Sequence, residues 1–400
     1  MKFWGYPRSD GRVGVRNHVA IIPSCYCAVG TARRIAAEVP GSVALFHEVG
    51  CSQVGLDMEI TVRTLSNLGR HPNVGAVLVV GLGCERLKAS ELADAIAPSG
   101  KPVEKITIQE CGGSLKTIDA GVPIAQRLVG EVSSIKRDQF GLEHLAVATE
   151  CGGTDAFSGI VANPAVGIAA DMVVAAGGTV MISEVTELLG VEDLFAARAA
   201  TPEIAEQIYR VIALSESQLT RQSENDSSGR RRALISTGNI QGGLSTIVEK
   251  SLGGARKAGS SRIVGVLKYG ETYTKRGLHL MDTPGHDAQS TTGMVAGGCQ
   301  VVLFTTGRGT PTGHPIAPVI KITGNSYTFD RMRDNLDVNT GQVIDGTITL
   351  RQAGEEIFDE VLAVADGKQT RAELLGHDEL MSVWRPSPEH ETAYGCGDWA

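Results

Sequence analysis

The chain has 400 residues, a formal net charge of −8, 42% hydrophobic residues and 20% charged residues. This length implies two or three domains with a large core, and the composition is ordinary for a globular protein. The negative charge argues against general binding to nucleic acid or to anionic membranes, although a locally basic site could still hold a small anion.

The N-terminal residues do not have the pattern of a signal peptide, and no apolar run approaches the roughly 20 residues that span a bilayer. We therefore expect a cytoplasmic protein with no membrane role. The eight cysteines should then be free thiols or metal ligands, and not a disulfide framework.

Strands and helices alternate along the first part of the chain. Apolar runs predict strands at 19–23, 43–46 and 74–80, and a further strand is expected at 103–108. A helix is predicted after each of these strands. A charged helix end at 136–139 predicts a domain boundary near residue 140. The first predicted domain is therefore an N-terminal α/β domain over 1–140.

The second predicted domain, 141–400, continues the alternation. Strands are expected at 145–148, 179–183, 233–235, 263–267, 301–304 and 319–322, with a helix at 159–176, a long helix ending near 219 and a solvated loop at 222–232. This regular β-α order predicts an α/β fold with two Rossmann-like parallel-sheet domains and helices on both faces of each sheet.

Thiols follow five of the predicted strands: Cys27, Cys51, Cys84, Cys111 and Cys151. Ligands of open parallel sheets bind beyond the carboxyl ends of the strands, so this repetition indicates a site. The alternative is that each cysteine fills the core as a small apolar residue. Together with His47, the thiols would suit a mononuclear Fe(II) or an iron–sulfur cluster.

Two glycine-rich corners carry polar side chains in the second domain. In the first, Cys-Gly-Gly-Thr-Asp-Ala-Phe-Ser-Gly, glycines and the start of a helix favour a small polar ligand; Asp155, Ser158 and Asn163 could contact it. The alternative is a tight turn with an N-cap. The second, Phe-Thr-Thr-Gly-Arg-Gly, offers Thr305, Thr306 and Arg308 as an anion cradle.

Further charged residues are candidates for carboxylate binding and proton transfer. Arg16 and Asn17 could form a second carboxylate clamp, or a surface turn. Glu184, which follows a strand together with Glu187, could do acid–base work or simply start a helix. Lys250 lies on a predicted helix, where a lysine is usually solvated.

Several common enzyme motifs are missing from the sequence. Arg86 replaces the third glycine of a dinucleotide-binding pattern, and there is no P-loop, no His-Glu-x-x-His and no Gly-x-Ser-x-Gly elbow.

The motifs resemble those of the altronate/galactarate dehydratase family of sugar-acid lyases along nearly the whole chain. The matching stretches are 10–17, 50–51, 71–74, 79–85, 150–167, 183–184, 238–239, 242–244, 247–250, 281–284 and 304–309.

This resemblance implies that a hexonate or hexarate is dehydrated to a 2-keto-3-deoxy acid with a divalent metal, most often iron. The thiols that match the family pattern, and that we expect to bind the metal, are Cys27, Cys51, Cys84 and Cys151; Cys25 and Cys111 fall outside it. The expected bases are, in falling order, His47, Glu184 and Lys250. The expected substrate contacts are Arg16, Asn17, Asp155, Ser158, Asn163, Thr305, Thr306 and Arg308.

The resemblance also implies partners. Single-chain relatives begin with a small SAF-type domain, whereas the family motifs here start at residue 5, so we expect a separate small SAF-domain subunit and a homo-oligomer. Two alternatives remain. One is the large subunit of a sulfolactate sulfo-lyase; relatives with that activity lack thiols matching Cys51 and Cys84, so their presence favours dehydration. The other is a non-catalytic sugar-acid-binding subunit.

Overall fold

The computed structural model describes residues 1–224 and 235–394 of the chain, without the side chains of 220–224. The predicted loop at 222–232 and the predicted strand at 233–235 lie largely outside these residues, as does Cys396.

The strands run in chain order as follows: β1 Lys2–Pro7, β2 Val13–Gly14, β3 His18–Pro23, β4 Ser42–Ala44, β5 Val74–Gly81, β6 Val103–Thr107, β7 Asp138–Gly141, β8 Ala146–Cys151, β9 Thr179–Ile182, β10 Ile263–Leu267, β11 Gly277–Met281, β12 Val301–Thr305, β13 Val319–Thr323 and β14 Val338–Asn339.

The α-helices are α1 Val29–Glu38, α2 Gly55–Arg70, α3 Ala89–Ile96, α4 Ile108–Cys111, α5 Ser114–Ser133, α6 Asn163–Ala175, α7 Glu192–Ala196, α8 Pro202–Glu224, α9 Thr237–Gln241, α10 Ile247–Ala255, α11 Asp287–Ala296, α12 Ser326–Arg331, α13 Leu350–Ala365, α14 Arg371–Leu375 and α15 Pro388–Tyr394.

The first parallel sheet has four strands in the order β4-β3-β5-β6. Its central strand β5 is buried along its whole length, because nonpolar side chains point to both faces. The strand order reverses between β3 and β5, so the corners that follow these two strands flank a crevice.

The second parallel sheet has seven strands in the order β10-β11-β9-β8-β12-β13-β14. The chain runs outward from β8 to β9 on one side and from β12 to β13 on the other, so its switch point lies between β8 and β12. In the register of this pair, Thr305 lies opposite Cys151 at the carboxyl ends. The sequence analysis missed β11 between β10 and β9, because its histidine and glycine interrupt the apolar pattern.

A third sheet is small and antiparallel, in the order β2-β1-β7. It pairs the start of the chain with the segment that precedes β8, and the sequence analysis did not predict it. The expected α/β class with two parallel sheets is confirmed.

The two parallel sheets share a core. Buried residues of β3 and β5, such as Ile22 and Val77, belong to the same apolar cluster as Met181 of β9 and Phe304 of β12. Helices α2 and α11 contribute to this cluster and contact each other. Burial of this apolar surface therefore fixes the two sheets against each other.

One helical segment, Ser158–Ala175, is apolar enough to meet a length and hydropathy criterion for a membrane span. In the fold, however, 56% of that segment is buried, and α6 packs against α13. Core helices of soluble proteins meet the same criterion. The segment begins with a π-helical turn, Ser158–Ala162, of a kind that often occurs at functional sites.

Candidate active site

A buried group of charged side chains lies at the carboxyl ends of β8 and β9. The Cys151 sulfur, which ends β8, lies 3.5 Å from Oε1 of Glu184 and 3.3 Å from Oε2 of Glu187. Both glutamates follow β9 directly, so the parallel pairing of β8 and β9 brings them to the thiol. All three residues are buried.

Glu184 has a strained backbone. Its φ of 60° lies in the left-handed region, which only Ser52 shares among the described non-glycine residues. The Glu184 amide donates to Oγ1 of Thr283 at 2.8 Å, and its carboxylate accepts from the Cys151 amide at 3.1 Å. Strain of this kind persists only where surrounding contacts hold it, and it concentrates at functional sites.

Two lysines compensate these carboxylates. Lys257, which is 1% exposed, contacts the Glu184 carboxylate and lies 3.0 Å from the Cys151 sulfur. Lys250 on α10 contacts Glu187 and is 9% exposed. We name Cys151, Glu184, Glu187, Lys250 and Lys257 the charged cluster.

A further carboxyl group lies beside the charged cluster. Glu150 is fully buried, and its Oε2 accepts from Ser290 at 2.6 Å and from Ser183 at 3.1 Å. Its other oxygen has no hydrogen-bond partner among the described residues. An unsatisfied buried oxygen favours the protonated acid, because an ionised one would cost much more free energy.

Burial and neighbouring charges together determine the protonation states in this region. It raises the pKa of Glu150 well above its usual range, and the charge of Glu184 adds to the shift. Burial and Glu184 likewise raise the pKa of the Cys151 thiol. For Lys257, burial lowers the pKa, but Cys151 and Glu184 outweigh burial and raise it. At neutral pH the charged cluster therefore holds a neutral thiol beside an ammonium group.

The second lysine behaves in the same way. Burial lowers the pKa of Lys250, but Glu187 and Cys151 raise it further, so this ammonium group also stays charged. Burial and Glu184 raise the pKa of Glu187, while Lys250 opposes the shift. The region can thus supply proton donors and an acceptor within a few ångströms of one another.

The same residues offer a set of metal donors. One ligand atom from each of Cys151, Glu184 and Glu187 lies within 4.8 Å of the other two. One thiol and two carboxylates suit a divalent ion of borderline softness. Lys257 contacts Oε2 of Glu184 and Lys250 contacts Oε1 of Glu187, so the other oxygen of each carboxylate faces the Cys151 sulfur.

A cavity of about 450 Å³ lies at the switch point of the second sheet. Its lining includes Asp155, from the corner after β8, and Arg308, from the corner after β12. Nη1 of Arg308 donates to Oε1 of Gln241 at 2.9 Å. The structure thus brings together two residues that the sequence analysis assigned to the substrate.

The other predicted hydroxyl-binding residues bond within the protein. Oγ1 of Thr305 donates to Oδ1 of Asn163 at 2.7 Å, and Oγ of Ser158 donates to Asp155 at 2.9 Å. Oγ1 of Thr306 accepts from the Gly309 amide at 3.0 Å. These contacts hold the two corners in place, and the direct binding of substrate by Ser158, Asn163, Thr305 and Thr306 stays a prediction.

Both ring nitrogens of His47 contact backbone groups of the first domain and none of the charged cluster. Its Nε2 lies 2.7 Å from the Pro23 carbonyl, and its Nδ1 accepts from the Val49 amide at 3.3 Å. Burial lowers its pKa. Both ring nitrogens therefore hold a corner of the first sheet, and of the three expected bases only Glu184 and Lys250 are members of the charged cluster.

The predicted four-thiol metal set is divided between the two sheets. Cys27, Cys51 and Cys84 are exposed at the carboxyl edge of the first sheet, whereas Cys151 is buried in the second. Within the part of the chain that the structure describes, the compact group of possible metal ligands contains Cys151 but none of the other three. The four thiols thus follow strands of different sheets, and their binding of one metal ion stays a prediction.

Arg16 and Asn17 do not form an open carboxylate clamp. The Arg16 guanidinium binds both oxygens of Glu373, at 2.7 and 2.9 Å, and donates to backbone carbonyls. The Asn17 amide accepts from Arg8 at 2.8 Å and donates to the Val132 carbonyl at 2.7 Å. Their polar atoms connect distant parts of the chain, so we assign them a structural role.

The sequence analysis missed Lys257 altogether. It follows α10 in the stretch Arg-Lys-Ala-Gly, which has the composition of a solvated helix end. Only its packing against Cys151 and Glu184 identifies it.

Comparison with known proteins agrees with these observations. The model of the D-galactarate/altronate dehydratase C-terminal domain matches residues 142–388, and that of the D-galactarate dehydratase/altronate hydrolase second domain matches residues 5–133. The chain is 37% identical over 380 residues to the (2R)-sulfolactate sulfo-lyase subunit beta of Chromohalobacter salexigens, covering 95% of this chain and 96% of that protein.

Two further relatives come from Escherichia coli. Altronate dehydratase is 37% identical over 389 residues, which cover 94% of this chain and 76% of the relative. Galactarate dehydratase (L-threo-forming) is 35% identical over 407 residues, covering 96% of this chain and 77% of the relative. The chain therefore belongs to the D-galactarate/altronate dehydratase family, a family of hydro-lyases.

Proposed function

We propose that this protein is a metal-dependent lyase that dehydrates a sugar acid to a 2-keto-3-deoxy acid. The observation that carries the proposal is the charged cluster, in which a strained glutamate, two ammonium groups and a thiol lie together at the end of β8. The corner that follows β8 lines the cavity with Arg308.

Dehydration removes the proton α to the carboxylate and expels the β-hydroxyl as water. Because this proton is very weakly acidic, negative charge that develops on the carboxylate needs strong stabilisation. We assign binding of the substrate carboxylate to Arg308, which can hold it bidentately. Lys257 would place positive charge at the end of the substrate that loses the α-proton, which we call the reacting end.

Glu184 is our candidate for the base. Its carboxylate is fixed by the Cys151 amide and by Lys257, so it keeps one orientation. Lys250, held by Glu187, would donate a proton to the leaving hydroxyl. Positioned acid–base groups of this kind typically contribute 10²- to 10⁴-fold in rate.

Cys151, Glu184 and Glu187 would hold a divalent ion, which as a Lewis acid polarises a substrate oxygen when bound. Iron is the ion we favour, since a thiol and carboxylates suit it. The remaining thiols, Cys27, Cys51 and Cys84, stay predicted ligands of iron or an iron–sulfur cluster at the first sheet.

Elimination of sulfite from sulfolactate is the second candidate function. The relative named as the beta subunit of that lyase is as similar to this chain as altronate dehydratase is. Its name also supports a separate partner subunit for this chain. The same base would remove the α-proton, and sulfite would leave in place of water.

The test is a panel of altronate, galactarate and (2R)-sulfolactate with Fe(II) under anaerobic conditions, with and without a co-expressed small subunit. Formation of 2-keto acid and of sulfite would be followed separately. We expect 2-keto acid from a sugar acid, and sulfite alone would overturn dehydration.

Glu184→Gln should lower kcat at least about 100-fold, because it keeps the shape of the side chain but cannot accept the proton. Glu249→Gln is the matched control, since Glu249 is an exposed glutamate that bonds to Ser245. Full activity of Glu184→Gln would contradict the assignment of the base.

A further inference from the structure

The cavity at the switch point contains a second arginine that the sequence analysis did not single out. Arg331, the last residue of α12, lines the cavity together with Arg308. The two residues reach it from different elements, a corner after β12 and a helix after β13. They therefore form two walls of one cavity.

Arg308 has most of its hydrogen-bonding capacity free. One of its N–H groups donates to Gln241, and among the described residues no other acceptor bonds to its guanidinium. The corner that carries it is held by Gly307, whose amide donates to the Gly153 carbonyl at 2.8 Å. Gly153 also lies close to Cβ of Arg308, so the Arg308 corner borders the corner that follows Cys151.

Arg331 is held in a similar way. Its Nη1 donates to the Tyr327 hydroxyl at 2.8 Å, and its guanidinium lies 5.4 Å from the centre of that ring. Thr328, one turn earlier on α12, donates to the Gly307 carbonyl at 2.9 Å, which fixes the helix against the Arg308 corner. In the described part of the chain, the other N–H groups of Arg331 have no protein acceptor.

The acidic residue of the cavity does not pair with either arginine. Oδ1 of Asp155 accepts from the Ser158 amide and hydroxyl at 2.8 and 2.9 Å, and its Oδ2 accepts from Asn325 at 3.3 Å. No ion pair joins Asp155 to Arg308 or Arg331 among the described residues. Both guanidinium groups thus remain available to a ligand.

One carboxylate is satisfied by one guanidinium, which binds it through two parallel N–H groups. A second guanidinium in the same cavity fits a second anionic group. We propose that the substrate is a dianion, with Arg308 on the carboxylate at the reacting end and Arg331 on the anionic group at the other end. This inference rests on the proposed function and specifies its substrate class.

The proposal distinguishes between the acids after which the relatives are named. Galactarate carries a carboxylate at each end, and sulfolactate carries a carboxylate and a sulfonate, whereas altronate ends in a hydroxymethyl group. The cavity volume of about 450 Å³ is large enough to hold a six-carbon diacid.

The test compares Arg331→Gln with Arg333→Gln in steady-state turnover of galactarate and altronate. Arg333 pairs with Asp330 near the same helix end, and its side chain is 68% exposed, so it is a matched control outside the cavity. We expect Arg331→Gln to raise KM for galactarate by about 10- to 100-fold, with a much smaller loss for altronate. Arg333→Gln should leave both acids unaffected.

A calorimetric titration separates this inference from the reaction itself. Adipate has two carboxylates on six carbons and no hydroxyl group to eliminate, and hexanoate has only one carboxylate. Binding of adipate in preference to hexanoate, lost in Arg331→Gln, would support the dianion whether or not turnover occurs. Equal effects of Arg331→Gln on galactarate and altronate, or equal binding of adipate by both variants, would overturn it. Failure of every acid to react would instead refute the proposed function.

Discussion

Replacement of Lys257 by methionine tests the charge balance of the buried cluster. Methionine keeps most of the length and volume of lysine but removes the ammonium group. The Glu184 carboxylate, whose side chain is 0% exposed, then loses the cation that contacts it. Breaking a buried pair by removal of one partner costs about 3–5 kcal/mol, because a buried charge is left uncompensated.

A loss of this size is large, since domains are typically stable by about 5–15 kcal/mol. Urea unfolding at pH 7, followed by circular dichroism, would measure it. The double variant Lys257→Met with Glu184→Gln should lose less than the sum of the two single variants, because it removes both charges.

Lys368→Met is the control for this experiment. Lys368 pairs with Glu360 at 2.6 Å, but its side chain is 55% exposed. Such pairs contribute about 0–1 kcal/mol, so the control should stay close to the wild type. A loss of under about 1 kcal/mol in Lys257→Met, or simple additivity in the double variant, would refute the reasoning.

Two further predictions concern a buried acid and the thiols. Burial raises the pKa of Asp282 to about 6. As the pH rises from about 4 to 6, the unfolded chain releases this proton before the folded protein does, so the free energy of unfolding falls. Asp282→Asn should therefore raise the free energy of unfolding at pH 8 by up to about 3 kcal/mol but not at pH 4, and an equal effect at both pH values would contradict it. Iodoacetamide should modify the exposed thiols of Cys27, Cys51 and Cys84 within minutes and leave the buried Cys299 unmodified until the protein unfolds, as measured by peptide mass spectrometry. If the three exposed thiols bind iron, prior anaerobic loading with Fe(II) should protect them from the reagent.

Much of the fold follows from local sequence pattern. The strands predicted at 19–23, 74–80, 103–108 and 301–304 each end within a residue of β3, β5, β6 and β12. For β3, β5 and β12 the reason is an uninterrupted apolar run, which specifies a buried parallel strand. The strand β11 was missed, since Gly277 and His279 break such a run. The short antiparallel sheet was also missed, because its partners are more than a hundred residues apart in the chain.

The candidate site was predicted less completely. Cys151, Glu184 and Lys250 were selected from corners and family motifs, and the structure places them in one cluster. Arg16 lies in a family motif and could bind a substrate carboxylate, yet its guanidinium binds the Glu373 carboxylate of the same chain. A residue's partner across the fold decides between these roles, and it cannot be read from neighbouring residues.

The sequence by itself determined the α/β class, the polar corners after β8 and β12, and the chemical groups available there. Periodicity and glycine placement act over a few residues, so they are visible in the chain. Only the tertiary structure decided which corners meet. It placed Cys27, Cys51 and Cys84 on a different sheet from Cys151, brought Lys257 to Glu184 and placed Arg331 at the same cavity as Arg308. These outcomes depend on the strand order and on packing between segments that are distant in the chain. Burial and the attraction of opposite charges between such segments decide which side chains become partners.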